Sequence, residues 1–119
     1  MNGHAMDRRA AADLVRRFAD AFNVAAGDDL AALAAVATPT AVAGYLVESH
    51  AGVVAPLASR TSVPAGARLD VDLERVTVPA PGMVVAGFTG HGFARDDFRG
   101  DAELHLDGDR VARVLFRAS

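Results

Sequence analysis

A chain of 119 residues, 51% hydrophobic and 23% charged, has the size and balance of one compact domain. Its net charge of -3, with basic residues that are all Arg and interspersed among acids, offers no electrostatic footprint for nucleic acid. The absence of cysteine excludes disulfides, thiolate metal sites and cysteine nucleophiles, while the lack of a long apolar run predicts neither a signal peptide nor a membrane span and leaves a cytoplasmic address.

Residues 1–6 read as a disordered tail, and residues 7–119 as one domain. Asp7 is a good N-cap, after which Ala11, Leu14, Val15, Phe18, Ala21 and Phe22 recur at helical spacing until Gly27. Asp28 or Asp29 then caps a second predicted helix whose apolar side is Leu30, Leu33, Ala34, Val36 and Ala37, stopped by Thr38-Pro39. After an extended piece, AVAGYLV, Ser49 is placed to cap a third helix through Val53, Val54 and Leu57, shortened or kinked by Pro56.

From Arg68 the apolar period changes from 3.6 to 2. Leu69, Val71 and Leu73 alternate with Asp70, Asp72 and Glu74, and the strand continues through Val76 and Val78. PAPG at 79–82 predicts a turn, MVVAGFTGHGF the returning strand, and DAELHL with RVARVLF a closing hairpin around Asp107, Gly108 and Asp109. Helices followed by antiparallel strands define an α+β domain.

The stretches VRRFADAFN, GDDLAALAAVATPTAV and FRGDAELHLDGDRVARVLF resemble the nuclear transport factor 2-like superfamily, in particular its SnoaL-like members. The resemblance implies a curved antiparallel sheet wrapped over three N-terminal helices, a cone with a pocket at its open end. It also implies a choice of functions, because relatives include isomerases, cyclases, dehydratases and epoxide hydrolases beside proteins that only bind or dimerise.

Carried over residue by residue, the family's catalytic groups are missing. In the ketosteroid isomerase-like branch the position of the helix phenol falls on Phe18, that of the base on Gly44 and that of the sheet acid on Ala102; none can donate a proton or hold charge. In the limonene epoxide hydrolase-like branch the acid of the last strand falls on Val114, which cannot activate water.

Hairpin pairing through PAPG places Val78 opposite Met83, Leu73 opposite Phe88, Val71 opposite Gly90 and Asp70 opposite His91. His91 then shares a face with Asp70, away from the helices, as an outward ion pair; a bulge near Gly90 and Gly92 would reverse that parity and turn it into a catalytic candidate. In the closing hairpin a three-residue connection pairs Leu104 with Ala112, Ala102 with Val114, and Glu103 with Arg113. Glu103, His105, Arg113 and Arg117 then make a mixed-charge outer face of the kind on which this superfamily often dimerises.

Two hypotheses follow. One is a small-molecule-binding protein whose apolar pocket is lined by Phe18, Phe22, Tyr45, Phe88, Leu104, Val114 and Phe116. If it is an enzyme, acid/base isomerisation, cyclisation or dehydration of a small hydrophobic molecule would use Tyr45 and His50, then His91, as proton carriers. Tyr45, Glu48 and His50 also have a plain reading as packing or exposed residues. The other hypothesis is a non-catalytic homodimeric binding or scaffold domain, associated through the sheet. Neither needs a cofactor, and the four His residues show no metal-ligand spacing.

Overall fold

The computed structural model describes residues 6–47, 50–51, 54–93 and 97–118. Helix α1 spans Arg8–Gly27, and the Asp7 carboxylate accepts from the Ala10 N–H at 2.8 Å, satisfying one of the free donors of the first turn. Its buried stripe, Ala11, Leu14, Val15, Phe18, Ala19, Phe22, Ala25 and Ala26, recurs every three to four residues and enters one hydrophobic core. Of the expected tail, Met6 packs against that core and the rest lies outside the described residues.

The expected second helix is a short 3-10 helix, Leu30–Ala35, and strand β1 (Ala37–Val47) already begins before Thr38-Pro39. Pairing overrides the helical preference of the alanines here: the Val111 N–H donates to the Val36 carbonyl at 2.8 Å, and Ala37 is in register with Val111. Pro39 falls between Ala37 and Val42, where the register is irregular and a missing N–H does least harm.

No third helix occurs among the described residues. Instead β2 (His50–Ala51) and β3 (Ala55–Pro56) fold back antiparallel on β1, pairing Val47 with His50 and Val42 with Pro56. Ser49, the expected cap, lies outside the described residues, as does Val53. Proline lacks the N–H that a helix interior needs but is tolerated in an edge strand. The Leu57 N–H then donates to the Ala41 carbonyl at 2.9 Å.

Strands β4 (Arg68–Ala80), β5 (Met83–His91), β6 (Phe98–Asp107) and β7 (Arg110–Ala118) complete an open sheet ordered β2-β1-β7-β6-β5-β4, with β3 also beside β1. The expected antiparallel pairing holds from β4 to β7, whereas β1 runs parallel to β7. Helix α1 protects the β4 edge: the Asn23 side-chain amide donates to the Leu69 carbonyl at 3.0 Å and accepts from the Leu69 N–H at 2.7 Å.

Both hairpins depart from the expected register because each turn is only two residues long, with Ala80 opposite Met83 and Asp107 opposite Arg110, and because bulges follow. Asp72 pairs with Gly87 but Val76 pairs with Ala86, so Leu73, Glu74 and Arg75 bulge out and Val71, not Leu73, lies opposite Phe88. Leu73 is consequently 39% exposed, while Val76 is buried. The bulge has its own partners: the Glu74 N–H donates to Asp72 Oδ1, Arg8 donates to the Glu74 carbonyl, and Arg75 pairs with Asp101 at 3.0 Å.

In β6 and β7 the turn is Gly108-Asp109, with Gly108 at φ +66, as primed two-residue hairpin turns require. A bulge follows between His105 and Leu106 of the register, so Leu104 meets Val114, Ala102 meets Phe116, and Glu103 meets Leu115 rather than Arg113.

Candidate functional site

The inner face of the sheet gathers the residues that the sequence placed in a pocket. Phe18 and Phe22 come from α1, Phe88 from β5, Leu104 from β6, and Val114 and Phe116 from β7; their exposure is between 0% and 3%. Phe88 meets Phe116 edge to face with ring centroids 5.1 Å apart, and Phe22 lies 6.3 Å from Phe18 and 5.9 Å from Phe93. These are core contacts, dominated by burial and ring packing.

Among the described residues the one buried polar side chain is Ser62, which donates to the Pro56 carbonyl at 2.7 Å. No acid or base joins the aromatic cluster there. Ala102 is buried in register with Phe116, and Gly44 is in register with Leu115. The backbone of Tyr45 is in register with Phe116 and that of His50 with Val47, whereas the side chains of Tyr45 and His50, and Glu48 altogether, lie outside the described residues.

A shallow cleft of about 140 Å³ opens between the 3-10 helix, the start of β1 and β3. Leu33, Ala41 and Leu57 form its buried floor, with Pro39, Pro56 and Thr38 at its walls. Among the described residues Thr38 is its one polar side chain, and that lining suits a small uncharged apolar group.

His91 ends β5 on the outer face, in the company of Asp70 as its alternation predicts, although its register partner is Arg68. Its Nε2 lies 3.1 Å from Asp70 Oδ2 and its Nδ1 lies 2.8 Å from Asp97 Oδ2, while Arg68 Nε holds Asp70 Oδ1 at 2.9 Å. The hydrogen bond to Asp97 is the largest influence on His91; with the negative charges of Asp97 and Asp70 it outweighs desolvation, the second largest, and raises the His91 pKa above its ordinary value. An imidazole held at both nitrogens presents no lone pair to a substrate.

Asp97 was not among the sequence candidates. The stretch ARDDFRG reads as a connection without periodicity, and only the return of the chain into β6 brings that carboxylate back to His91. The positive φ of Gly92, +73, makes the turn immediately after the histidine, against the Gly66 carbonyl.

The mixed-charge outer face is present with a different pairing. Glu103, whose side chain is 18% exposed, lies 3.3 Å from Arg117 and 3.6 Å from His105, and so replaces the expected Glu103–Arg113 pair. Met83, Val85, Leu115 and Val42 on the same face are half-buried. The buried His105 Nε2 has no hydrogen-bond partner among the described residues. Among the described residues no group of three or more His, Asp or Glu is arranged to hold a metal ion, and no helix is long and apolar enough to cross a membrane.

No family model matches the sequence, and no curated protein matches it significantly. Solved structures do match in fold. An NTF2-like protein of unknown function from Mesorhizobium loti has a TM-score of 0.66 at 20% identity, covering 100% of this chain and 99% of the other. A candidate SnoaL-like polyketide cyclase from Jannaschia sp. gives 0.63 at 15% identity over 100% and 92%. An LEH-like epoxide hydrolase from M. tuberculosis gives 0.61 at 16% identity over 93% and 84%.

Proposed function

We propose that this chain, which has the nuclear transport factor 2-like fold, is a non-catalytic homodimeric binding or scaffold domain whose outer sheet face receives a second copy. The observation that carries the reading is the filling of the inner face: Phe18, Phe22, Phe88 and Phe116 occupy the space between helix and sheet with exposures of 0% to 3%. A proton-transfer enzyme needs a titratable group within hydrogen-bond reach of its substrate. The described part of this interior supplies none.

The outer face supports the second half of the proposal. Half-buried Met83, Val85, Leu115 and Val42 surround Glu103, His105 and Arg117, a mixture of apolar area and both signs of charge that can be self-complementary across a two-fold axis. The apolar stripe of α1 enters the inner core and leaves this face uncovered by that helix. Sedimentation equilibrium tests the reading: a dimer that Leu115→Arg converts to a folded monomer supports it, and a monomeric wild type refutes it.

A second reading, binding of a small hydrophobic molecule, draws on the apolar cleft beside Leu33, Ala41 and Leu57 and on structural neighbours described as a candidate cyclase and an epoxide hydrolase. Isomerisation, cyclisation or dehydration would then fall to Tyr45 and His50, since both ring nitrogens of His91, the third candidate, are held by Asp70 and Asp97. Thermal unfolding against hydrophobic ketones, polyketide-like aromatics, terpenoid epoxides and steroids tests it, because a ligand of the native state raises Tm in a saturable way. If one class turns over, Tyr45→Phe or His50→Ala lowers the rate at least about tenfold, the loss expected for a removed general acid or base; unchanged kinetics remove both residues from that role.

A further inference from the structure

We propose that His91, Asp70 and Asp97 form a proton-operated clamp, which ties β4 and β5 to the residue entering β6 when the imidazole carries both protons and loosens when it loses one. The geometry requires this stoichiometry. Each ring nitrogen faces a different carboxylate oxygen, Nδ1 at 2.8 Å from Asp97 and Nε2 at 3.1 Å from Asp70. A neutral imidazole has one N–H, so one of these contacts then becomes a lone pair facing an anion.

The surroundings decide which contact depends most on the proton. Arg68, opposite His91 on β4, already neutralises Asp70 at 2.9 Å. From β6 the nearest charged register neighbour is Arg99, which pairs with Thr89. The loop before β4 brings the Gly66 backbone against Gly92, and α1 brings Phe22 against Phe93; neither is charged. Arg95 and Asp96 lie outside the described residues. Among the described groups, Asp97 therefore depends on His91 for its positive partner, whereas Asp70 shares Arg68.

What the clamp holds follows from its position. Directly after His91 come Gly92, seated on the Gly66 carbonyl, and Phe93, whose ring lies 5.9 Å from that of Phe22. Release of Asp97 loosens the end of the core that Phe93 closes.

The folded-state pKa of His91 is raised. Its contribution to stability is therefore complete below the unfolded value of about 6.5 and disappears as pH rises through the higher folded value.

The test pairs histidine NMR with unfolding on the full chain. His91 resonances, assigned by their loss in His91→Gln, titrate above the ordinary histidine value in the wild type; Asp97→Asn shifts that midpoint down further than Asp70→Asn. Between about pH 5 and about pH 8, where an ordinary histidine changes charge, and on above it, wild-type Tm falls more steeply than that of His91→Gln. An ordinary or lowered midpoint, or parallel Tm profiles for the two proteins, overturns the clamp. Asp97→Asn provides the check should His91→Gln unfold.

Discussion

Asn23 acts as an extra strand partner for Leu69: its amide completes both hydrogen bonds of the Leu69 backbone, at 3.0 and 2.7 Å, from the side of α1. Helix α1 and the sheet edge are thereby joined by polar contacts across a largely apolar seam. The same pair fixes where the first half of β4 lies against the helix, and with it the orientation of Asp70 toward His91.

Replacement of Asn23 by Ala leaves both backbone groups of Leu69 without their partners in a partly buried place. The expected loss is about 2 kcal/mol, within the range for unpaired buried polar groups. Asn23→Asp keeps the acceptor for the Leu69 N–H but sets a carboxylate oxygen against the Leu69 carbonyl oxygen, so it is expected to lose at least as much. Urea unfolding at neutral pH measures both.

Glycine is needed at position 92 for two reasons and at position 108 for one. Both have positive φ, but a Cβ at 92 would approach the Gly66 carbonyl oxygen to 2.9 Å, whereas one at 108 meets nothing within 4 Å. Gly108→Ala is expected to cost about 1 kcal/mol through backbone strain, and Gly92→Ala roughly twice that or more. Equal Tm losses for the two variants would remove the close approach as a factor.

These glycines and the bulges show which parts of the fold the sequence carries openly. Helix α1, its Asp7 cap and the strands from Arg68 onward are legible because each has a single sustained period. Bulges are legible only as phase slips: apolar positions run 69 and 71, then 76 and 78, a change from odd to even, and in the last strand Val111 precedes Val114. Extending one period straight across the first slip gives Leu73 to the core, and doing so across the second, from a turn taken one residue too long, gives Arg113 to Glu103.

The short 3-10 helix and the strands β2 and β3 were hidden for another reason. Alanine-rich segments favour helix locally, and only the distant partners Val111 and Ala41 draw residues 36–37 and 57 into strand-like pairing. Asp97 likewise has no local signal that ties it to His91. That Phe18, Gly44, Ala102 and Val114 carry no titratable group was readable at once, since residue type alone decides it.

The aromatic pair at the sheet's inner face offers a direct measure of core packing. Phe116→Ala is expected to cost about 3–5 kcal/mol, as large-to-small changes of buried phenylalanine do. A double-mutant cycle with Phe88→Ala gives a coupling of about 0.5–1.5 kcal/mol for rings in this edge-to-face arrangement. Urea unfolding of the four proteins tests it, with the milder Phe→Leu changes as substitutes where an alanine variant does not fold.

Sedimentation equilibrium on the intact wild-type chain asks whether the sheet face joins two copies. The expected mass is twice that of the 12.3 kDa chain, reverting to that of one chain in Leu115→Arg while the circular dichroism spectrum stays native. A single-chain mass for the wild type throughout the micromolar range would contradict a homodimer on the sheet face.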